Sequence, residues 1–599
     1  MGPPRLPLLL LAAAAAAEGR GPPVVQTKYG PVRGAWREGG VAAFYGIPYA
    51  RSTAGDARWR PAQPPEPWRE PVDGTRPLGR AGACLQVNPF FFSMQAAGQL
   101  LGTEDCLTAT VYSPRLPSGP EDAPKAPVLF WIHGGAFVLG DAWEEGLYDG
   151  APLARRFGMV VVSVQYRLGP LGFLSLPELA DEHPSRSMGN QGLQDQRLAL
   201  RWFREHAALF GGDPDRVVIA GQSAGGFSVC WHMAAPGSRG LFAGGIMESG
   251  GCDVNLSPAR ALEVGGQLAD SQGCTAGPSR LACLRKRKAE SLLNMTDPVL
   301  AAGLMNVWPT VDGSEDGLPE TQLRLLRAGR GSHVPVIFGH NADEMQVGCK
   351  QGQPLEECDG LVTVLGGKPA SDEAAVRGVL EEYPAQLGLD LRLAGARWAR
   401  VLKAYPLSAY HGDPAVRLSD MFADAGWEGR LGEGGSLTIG QCGTLRAVRA
   451  AVAAGAPVYM YHYDYHTAAL NTSEDLVQHG DEEAFVFESR TTMAFSKGAA
   501  RMALTLGAYW ASFVFHLDPN EAVKQAPGME LPHWPRFQDS GELLRLAGRS
   551  TAPERPARAP LCDFWQELLG GGYGNGSAAA GATSGAATRP APGAEAAPA

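Results

Sequence analysis

Gly221-Gln222-Ser223-Ala224-Gly225 follows the apolar run Val217-Val218-Ile219-Ala220 and precedes a stretch, Gly226 to Ala234, that reads as helix. A strand that enters a helix through Gly-x-Ser-x-Gly turns so tightly that glycine is needed on both sides of the serine. The serine itself is held in a strained conformation with its hydroxyl directed into open space. The pentapeptide alone is a common Gly/Ser turn. Its place between strand and helix makes Ser223 a candidate nucleophile.

Further short runs rich in β-branched and aromatic residues are Val128 to Ile132, Met159 to Val164, Val336 to Phe338 and Val458 to Tyr463. Stretches with helical spacing, such as Gly192 to Phe210, lie between them. Continuous apolar strands separated by helices imply an α/β fold: a large, mostly parallel central sheet covered by helices on both faces. In such sheets the ligand site lies beyond the carboxyl ends of the strands, which is where partners for Ser223 are expected.

The ends of the chain differ from its body. Arg5, the apolar stretch Leu6 to Ala14 and the small residues Ala15-Ala16-Ala17 read as a secretory signal over residues 1–17, too short for a membrane anchor. Residues 18–568 read as one continuous globular domain. Residues 569–599 are almost devoid of large apolar side chains and are expected to be a disordered low-complexity tail. The most apolar remaining window, Leu504 to Leu517, is short for a transmembrane span and is expected to pack in the core. Acidic residues outnumber basic ones, 62 to 52, and no basic patch stands out, so nucleic acid is not an expected partner. In a secreted chain the ten cysteines are disulfide candidates before they are metal ligands, and no Cys-x-x-Cys pair suggests zinc. Neither a metal nor an organic cofactor is implied. Asn294, Asn471 and Asn575 head acceptor sequons for N-glycans; Asn255 heads a weaker one, with Pro258 following.

Directly after the Val128 run comes His133-Gly134-Gly135-Ala136-Phe137, whose consecutive small residues can turn backbone N–H groups toward one point. Such donors stabilise the oxyanion of an acyl-transfer intermediate. A serine hydroxyl also requires a base. His462 and His466 sit in or just after a strand and read as structural. His479, in the loop Val477-Gln478-His479-Gly480-Asp481-Glu482, lies on the appropriate side of the sheet. Asp343 and Glu344, after the Val336 strand, both offer a carboxylate to orient an imidazole, and spacing does not choose between them.

The chain resembles the type-B carboxylesterases, the group that contains carboxylesterases, cholinesterases and bile-salt-activated lipase. The landmarks are Gly46-Ile47-Pro48-Tyr49-Ala50, Glu104-Asp105-Cys106-Leu107, Tyr166-Arg167-Leu168-Gly169, Gly189-Asn190-Gln191-Gly192-Leu193 and Phe210-Gly211-Gly212-Asp213-Pro214, followed by Val311-Asp312-Gly313, Tyr509-Trp510 and Asp518-Pro519-Asn520. The resemblance covers nearly all of residues 24–568 and implies an α/β-hydrolase fold. It further implies a triad of Ser223, Glu344 and His479, with Gly135, Ala136 and Ala224 as oxyanion donors. Ser249 resembles a supporting serine near the buried acid, although a simple turn serine would look the same. Disulfides Cys84–Cys106, Cys274–Cys283 and Cys442–Cys562 are implied in the same way. Cys349 and Cys358 could form a local pair, and Cys230 and Cys252 are left as buried thiols or a further bridge.

The departures are informative. Cholinesterases carry a tryptophan in the first disulfide loop for cation–π binding of a quaternary ammonium. Here residues 85–105 contain Phe90-Phe91-Phe92 and no tryptophan, and neutral Gln222 stands where a glutamate is usual. The expected function is a secreted carboxylic-ester hydrolase working through an acyl-enzyme on a small-molecule or lipid ester. The alternatives are a lipase for long acyl chains and, from another class, a non-catalytic adhesion protein of the same fold.

Overall fold

In the computed structural model the described residues are 21–568 except 88–98, 120–121, 123–124, 294–306, 345–372, 387–394, 411–416, 419, 422–423, 425–426, 429–435, 438–439, 471–475, 490–495 and 522–529. The signal segment, the C-terminal tail, Asn294, Asn471, Asn575, Phe90 to Phe92, Cys349 and Cys358 lie outside them.

An eleven-stranded sheet organises the chain. In chain order its strands are β1 (Ala35–Trp36), β2 (Ala42–Pro48), β3 (Thr108–Ser113), β4 (Ala126–Ile132), β5 (Val160–Val164), β6 (Gly212–Gln222), β7 (Gly244–Glu248), β8 (Val336–Asn341), β9 (Val458–Tyr463), β10 (Leu543–Leu546) and β11 (Ala552–Glu554). Across the sheet they run β11-β10-β9-β8-β7-β6-β4-β5-β3-β2-β1. The strands from β10 through β5 in that order are mutually parallel, and antiparallel strands close both edges. The sequence reading foresaw the parallel centre but not the outermost strands β1 and β11, which are two and three residues long with none of them buried, and so carry little apolar signal.

Successive residues of a strand face opposite sides, and both sides here are buried. Val128, Phe130 and Ile132 of β4, with Val217 and Ile219 of β6, enter one core with Leu193, Leu200 and Phe203 of helix α1 (Gln191–His206) and Phe227 and Val229 of helix α2 (Ala224–Ala234). Leu129, Trp131, Val218 and Ala220 enter the other, against Met502, Leu506, Trp510 and Phe513 of helix α3 (Lys497–His516). That double burial is why these strands read as unbroken apolar runs. The Leu504 window packs in this second core, and among the described residues no helix is long and apolar enough to cross a membrane.

Two boundaries differ from the sequence reading. Strand β6 begins at Gly212, with a register irregularity between Gly212 and Val217 against β4. Helix α2 begins at Ala224, two residues before the expected start, because the elbow glycine Gly225 is already helical. All eleven residues of α2 are buried, so it carries no polar face to mark its limits.

Disulfides join Cys84 to Cys106, Cys274 to Cys283 and Cys442 to Cys562, and a fourth joins Cys230 to Cys252. Cys230 lies on α2 and Cys252 just after β7; the parallel pairing of β6 with β7 brings these two segments together. The long bridge spans 120 residues and ties the C-terminal helix Ala559–Leu568 to the helix Gln441–Ala453, which packs on β8 and β9. Replacing Cys442 and Cys562 together by alanine is expected to cost about 4–5 kcal/mol of stability in the chain-entropy model. Thermal unfolding of the double mutant against the parent checks this; an unchanged midpoint would mean that the other contacts of the helix, Trp565 and the Arg449–Asp563 pair among them, hold it without the bridge.

Candidate active site

The elbow occupies the carboxyl end of β6. Ser223 has φ 53° and ψ −120°, a positive-φ conformation sparsely populated by residues other than glycine that costs on the order of 1–3 kcal/mol and persists only where its surroundings enforce it. The enforcement is visible in the flanking glycines. A β-carbon on Gly225 would lie 1.9 Å from the Ile132 carbonyl oxygen, and one on Gly221 would lie 2.5 Å from the same atom. The Ser223 N–H donates to the Glu248 carbonyl at the end of β7 (2.9 Å), pinning the turn. Gln222 and Ala224 are buried, whereas Ser223 is partly exposed.

The small-residue loop after β4 folds over the elbow. Gly134 packs so closely that a β-carbon there would sit 3.2 Å from Ser223 Cβ and 2.9 Å from Gln222 Oε1. Gly135, Ala136 and Phe137 all have positive φ (103°, 52° and 63°), which curls the backbone. The curl is closed by the Gly135 carbonyl, which accepts from both Val138 and Leu139 N–H at 3.0 Å. His133 is stacked on Tyr166 with ring centroids 4.4 Å apart, and burial pushes its pKa down to about 4. The neutral ring therefore donates from Nδ1 to the Gly134 carbonyl (2.9 Å) and serves the loop rather than proton transfer.

His479 lies in the loop that follows β9. Its Nδ1 hydrogen-bonds Glu344 Oε2, and the other carboxylate oxygen, Oε1, accepts from the Asn341 N–H (2.7 Å). Asp343 points elsewhere: its Oδ2 accepts from the Val477 N–H at 2.9 Å. Gly480, with φ 88°, brings the His479 loop against the elbow, since a β-carbon on it would lie 3.6 Å from Gln222 Nε2. Burial works to lower the His479 pKa, but the Glu344 carboxylate, joined by Glu482 and Asp481, outweighs it and the net shift is upward. With Nδ1–H committed to Glu344, the free Nε2 is the atom able to accept a proton.

Beneath this pair is a buried acidic layer that sequence reasoning missed. Ser249 does not reach Glu344; its hydroxyl donates to Glu482 Oε1 (3.0 Å), whose other oxygen accepts from Asn341 Nδ2 (2.5 Å). Glu248 accepts from Trp510 Nε1 (2.6 Å), and Glu483 from the Tyr148 hydroxyl (2.8 Å). Burial, reinforced by repulsion from Glu344, pushes Glu482 up to about 7. Burial and repulsion from Glu482 hold both Glu248 and Glu483 well above the usual carboxylate range. Nothing local in the acidic run Asp481-Glu482-Glu483 marks it for burial, and only the fold reveals that all three side chains are buried. The histidines set aside from the sequence stay outside this group: His462 stacks on His340 and His466 approaches Asp464.

Among the described residues the one cluster of metal-type side chains is Asp424, Cys442 and Cys562, and both sulfurs there are committed to their disulfide. What the strand ends assemble is a strained serine, an imidazole polarised by a carboxylate, and a curled loop of small residues. This is acyl-transfer equipment.

Comparison with known proteins agrees with that chemistry. The carboxylesterase family model matches residues 21–359 and 436–565. Human cocaine esterase is 31% identical over 591 residues, covering 94% of each chain. Para-nitrobenzyl esterase of Bacillus subtilis is 29% identical, covering 89% of this chain and 96% of its own. The crystal structure of a Geobacillus stearothermophilus carboxylesterase superposes with a TM-score of 0.65 at 28% identity, over 91% of this chain and 100% of that one.

Proposed function

Because this chain belongs to the carboxylesterase family and is an ester hydrolase of that type, we propose that it cleaves neutral carboxylic esters through an acyl-enzyme on Ser223. The observation that supports the reading is the Glu344–His479 hydrogen bond, on a loop whose Gly480 approaches Gln222, the residue preceding the strained Ser223. Ser223 Oγ attacks the ester carbonyl while its proton passes to His479 Nε2. Glu344 holds the tautomer and stabilises the imidazolium. The backbone N–H groups of Gly135, Ala136 and Ala224 receive the negative charge that develops on the carbonyl oxygen. Collapse of the intermediate expels the alcohol, which takes its proton from His479. Water then attacks the acyl-serine by the same route, releasing the acid and restoring Ser223.

Secretion belongs to the same proposal. The signal-like segment at residues 1–17 supports it, as do the four disulfides among the described residues, which suit an oxidising compartment. Recovery of the protein from the medium of expressing cells, with its N-terminus at Glu18, tests this; retention inside with Met1 intact would contradict it.

Choline esters are expected to be poor substrates. Gln222 is uncharged and buried next to the nucleophile, and the first disulfide loop has no tryptophan to face a quaternary ammonium. A desolvated cation–π contact is worth about 2 kcal/mol, so kcat/KM for acetylthiocholine should be about tenfold or more below that for a neutral acetyl thioester. A preference for the choline ester would refute this account of the site's charge. Extending the neutral series through graded acyl lengths separates a short-chain esterase from a lipase.

A further inference from the structure

The curled loop that carries Gly135 and Ala136 is held at its far end by one side chain outside it. Gln86 lies two residues beyond Cys84, in a two-residue strand (Gln86–Val87) paired with Leu100–Leu101 inside the loop closed by the Cys84–Cys106 disulfide. Its side chain is buried, and its amide pairs with Gly140 as one peptide group pairs with another. Gly140 N–H donates to Gln86 Oε1 (2.8 Å), and Gln86 Nε2 donates to the Gly140 carbonyl (2.9 Å). The second Nε2 hydrogen goes to the Cys84 carbonyl (3.0 Å), so both amide hydrogens are used and the side chain has one orientation.

Gly140 is no ordinary anchor point. It has φ 103°, and a β-carbon on it would lie 2.6 Å from both the Gly134 carbonyl oxygen and His133 Nδ1. The end of the loop therefore rests on its beginning, and Gly134 in turn rests on Ser223. Fixing Gly140 fixes the curl that aims the Gly135 and Ala136 N–H groups. A donor array of this kind acts through preorganisation, and displacements of about 1 Å are enough to cost it.

We propose that Gln86 is a positioning residue for ester hydrolysis, tying the oxyanion loop to the first disulfide so that its N–H groups are already aimed when the tetrahedral intermediate forms. This rests on the reading that Gly135 and Ala136 serve that intermediate. Gln86 touches no reacting atom; it acts through Gly140. Its effect should appear where charge develops on the carbonyl oxygen and not in ground-state binding.

The test compares Gln86→Ala and Gln86→Glu with the parent protein on one neutral ester, together with inhibition by an aryl trifluoromethyl ketone. That ketone is attacked by the active serine to give a charged hemiketal bound by the oxyanion donors. Gln86→Glu keeps the acceptor for Gly140 N–H but loses both donations, and it decides the matter if Gln86→Ala fails to fold. The expected result is a kcat lowered about ten- to hundredfold with KM within about threefold, a trifluoromethyl ketone affinity that falls in parallel with kcat/KM, and a melting temperature that does not track either loss. Parent-like kcat and ketone affinity in a folded variant, or a loss confined to KM, would overturn the role of Gln86. Failure of the ketone to inhibit the parent would instead overturn the underlying reading of the site, and the proposal with it.

Discussion

Ser223→Ala is expected to lose about 10⁶-fold in kcat, the scale seen when the nucleophile of a serine protease is removed, while remaining folded. The hydroxyl supplies the attacking atom, whereas the elbow is held by backbone features the substitution leaves alone: the Ser223 N–H to Glu248 and the close approach of Gly221 and Gly225 to Ile132. Alanine at the positive φ of 53° carries the same order of strain as serine, so the melting temperature should stay near that of the parent. His479→Ala should be comparably inactive, and the double mutant little worse than either single one, because nucleophile and base act as a unit. Kinetics on a neutral ester with thermal melts of all three variants check this. Substantial activity in folded Ser223→Ala would place the nucleophile elsewhere.

The second large effect separates two adjacent carboxylates. Glu344→Gln is expected to lower kcat by up to ~10⁴-fold, as the corresponding change does in a serine protease, because the amide no longer enforces the productive tautomer of His479. It should also move the acidic limb of the pH profile. His479 is competent as a base only when neutral, that is, above its pKa, and Glu344 is the foremost of the carboxylates, with Glu482 and Asp481, that raise that pKa against the opposing effect of burial. The parent limb should therefore lie above the ordinary histidine value of 6.5, and residual activity of Glu344→Gln should persist to lower pH. Asp343→Asn should cost less than about tenfold, since the asparagine carbonyl can still accept from the Val477 N–H. A crippled Asp343→Asn beside an active Glu344→Gln would contradict the assignment.

How much of this was legible in the sequence varies by residue, for physical reasons. The elbow and the β-strands behind it announce themselves because double burial demands unbroken apolar runs and the Ile132 carbonyl demands glycine. The choice of Glu344 over Asp343 came only from family resemblance. In the structure it follows from side-chain direction, with adjacent residues pointing to His479 and to Val477 respectively. The Cys230–Cys252 bridge and the partner of Ser249 depend on which strands neighbour one another, and no local pattern encodes that. Glu482 was hidden for a different reason, since nothing local in its acidic run marks it for burial. Gln86 was silent because a lone glutamine carries no pattern at all.

The claim on which the account turns is that Ser223 alone becomes covalently acylated. The most direct measurement is intact-mass analysis and peptide mapping after treatment with an organophosphate, for the parent and for Ser223→Ala. The account predicts one adduct per chain on the peptide containing Gly221 to Gly225, and none on the mutant. Label on another serine, or labelling that survives Ser223→Ala, would contradict it.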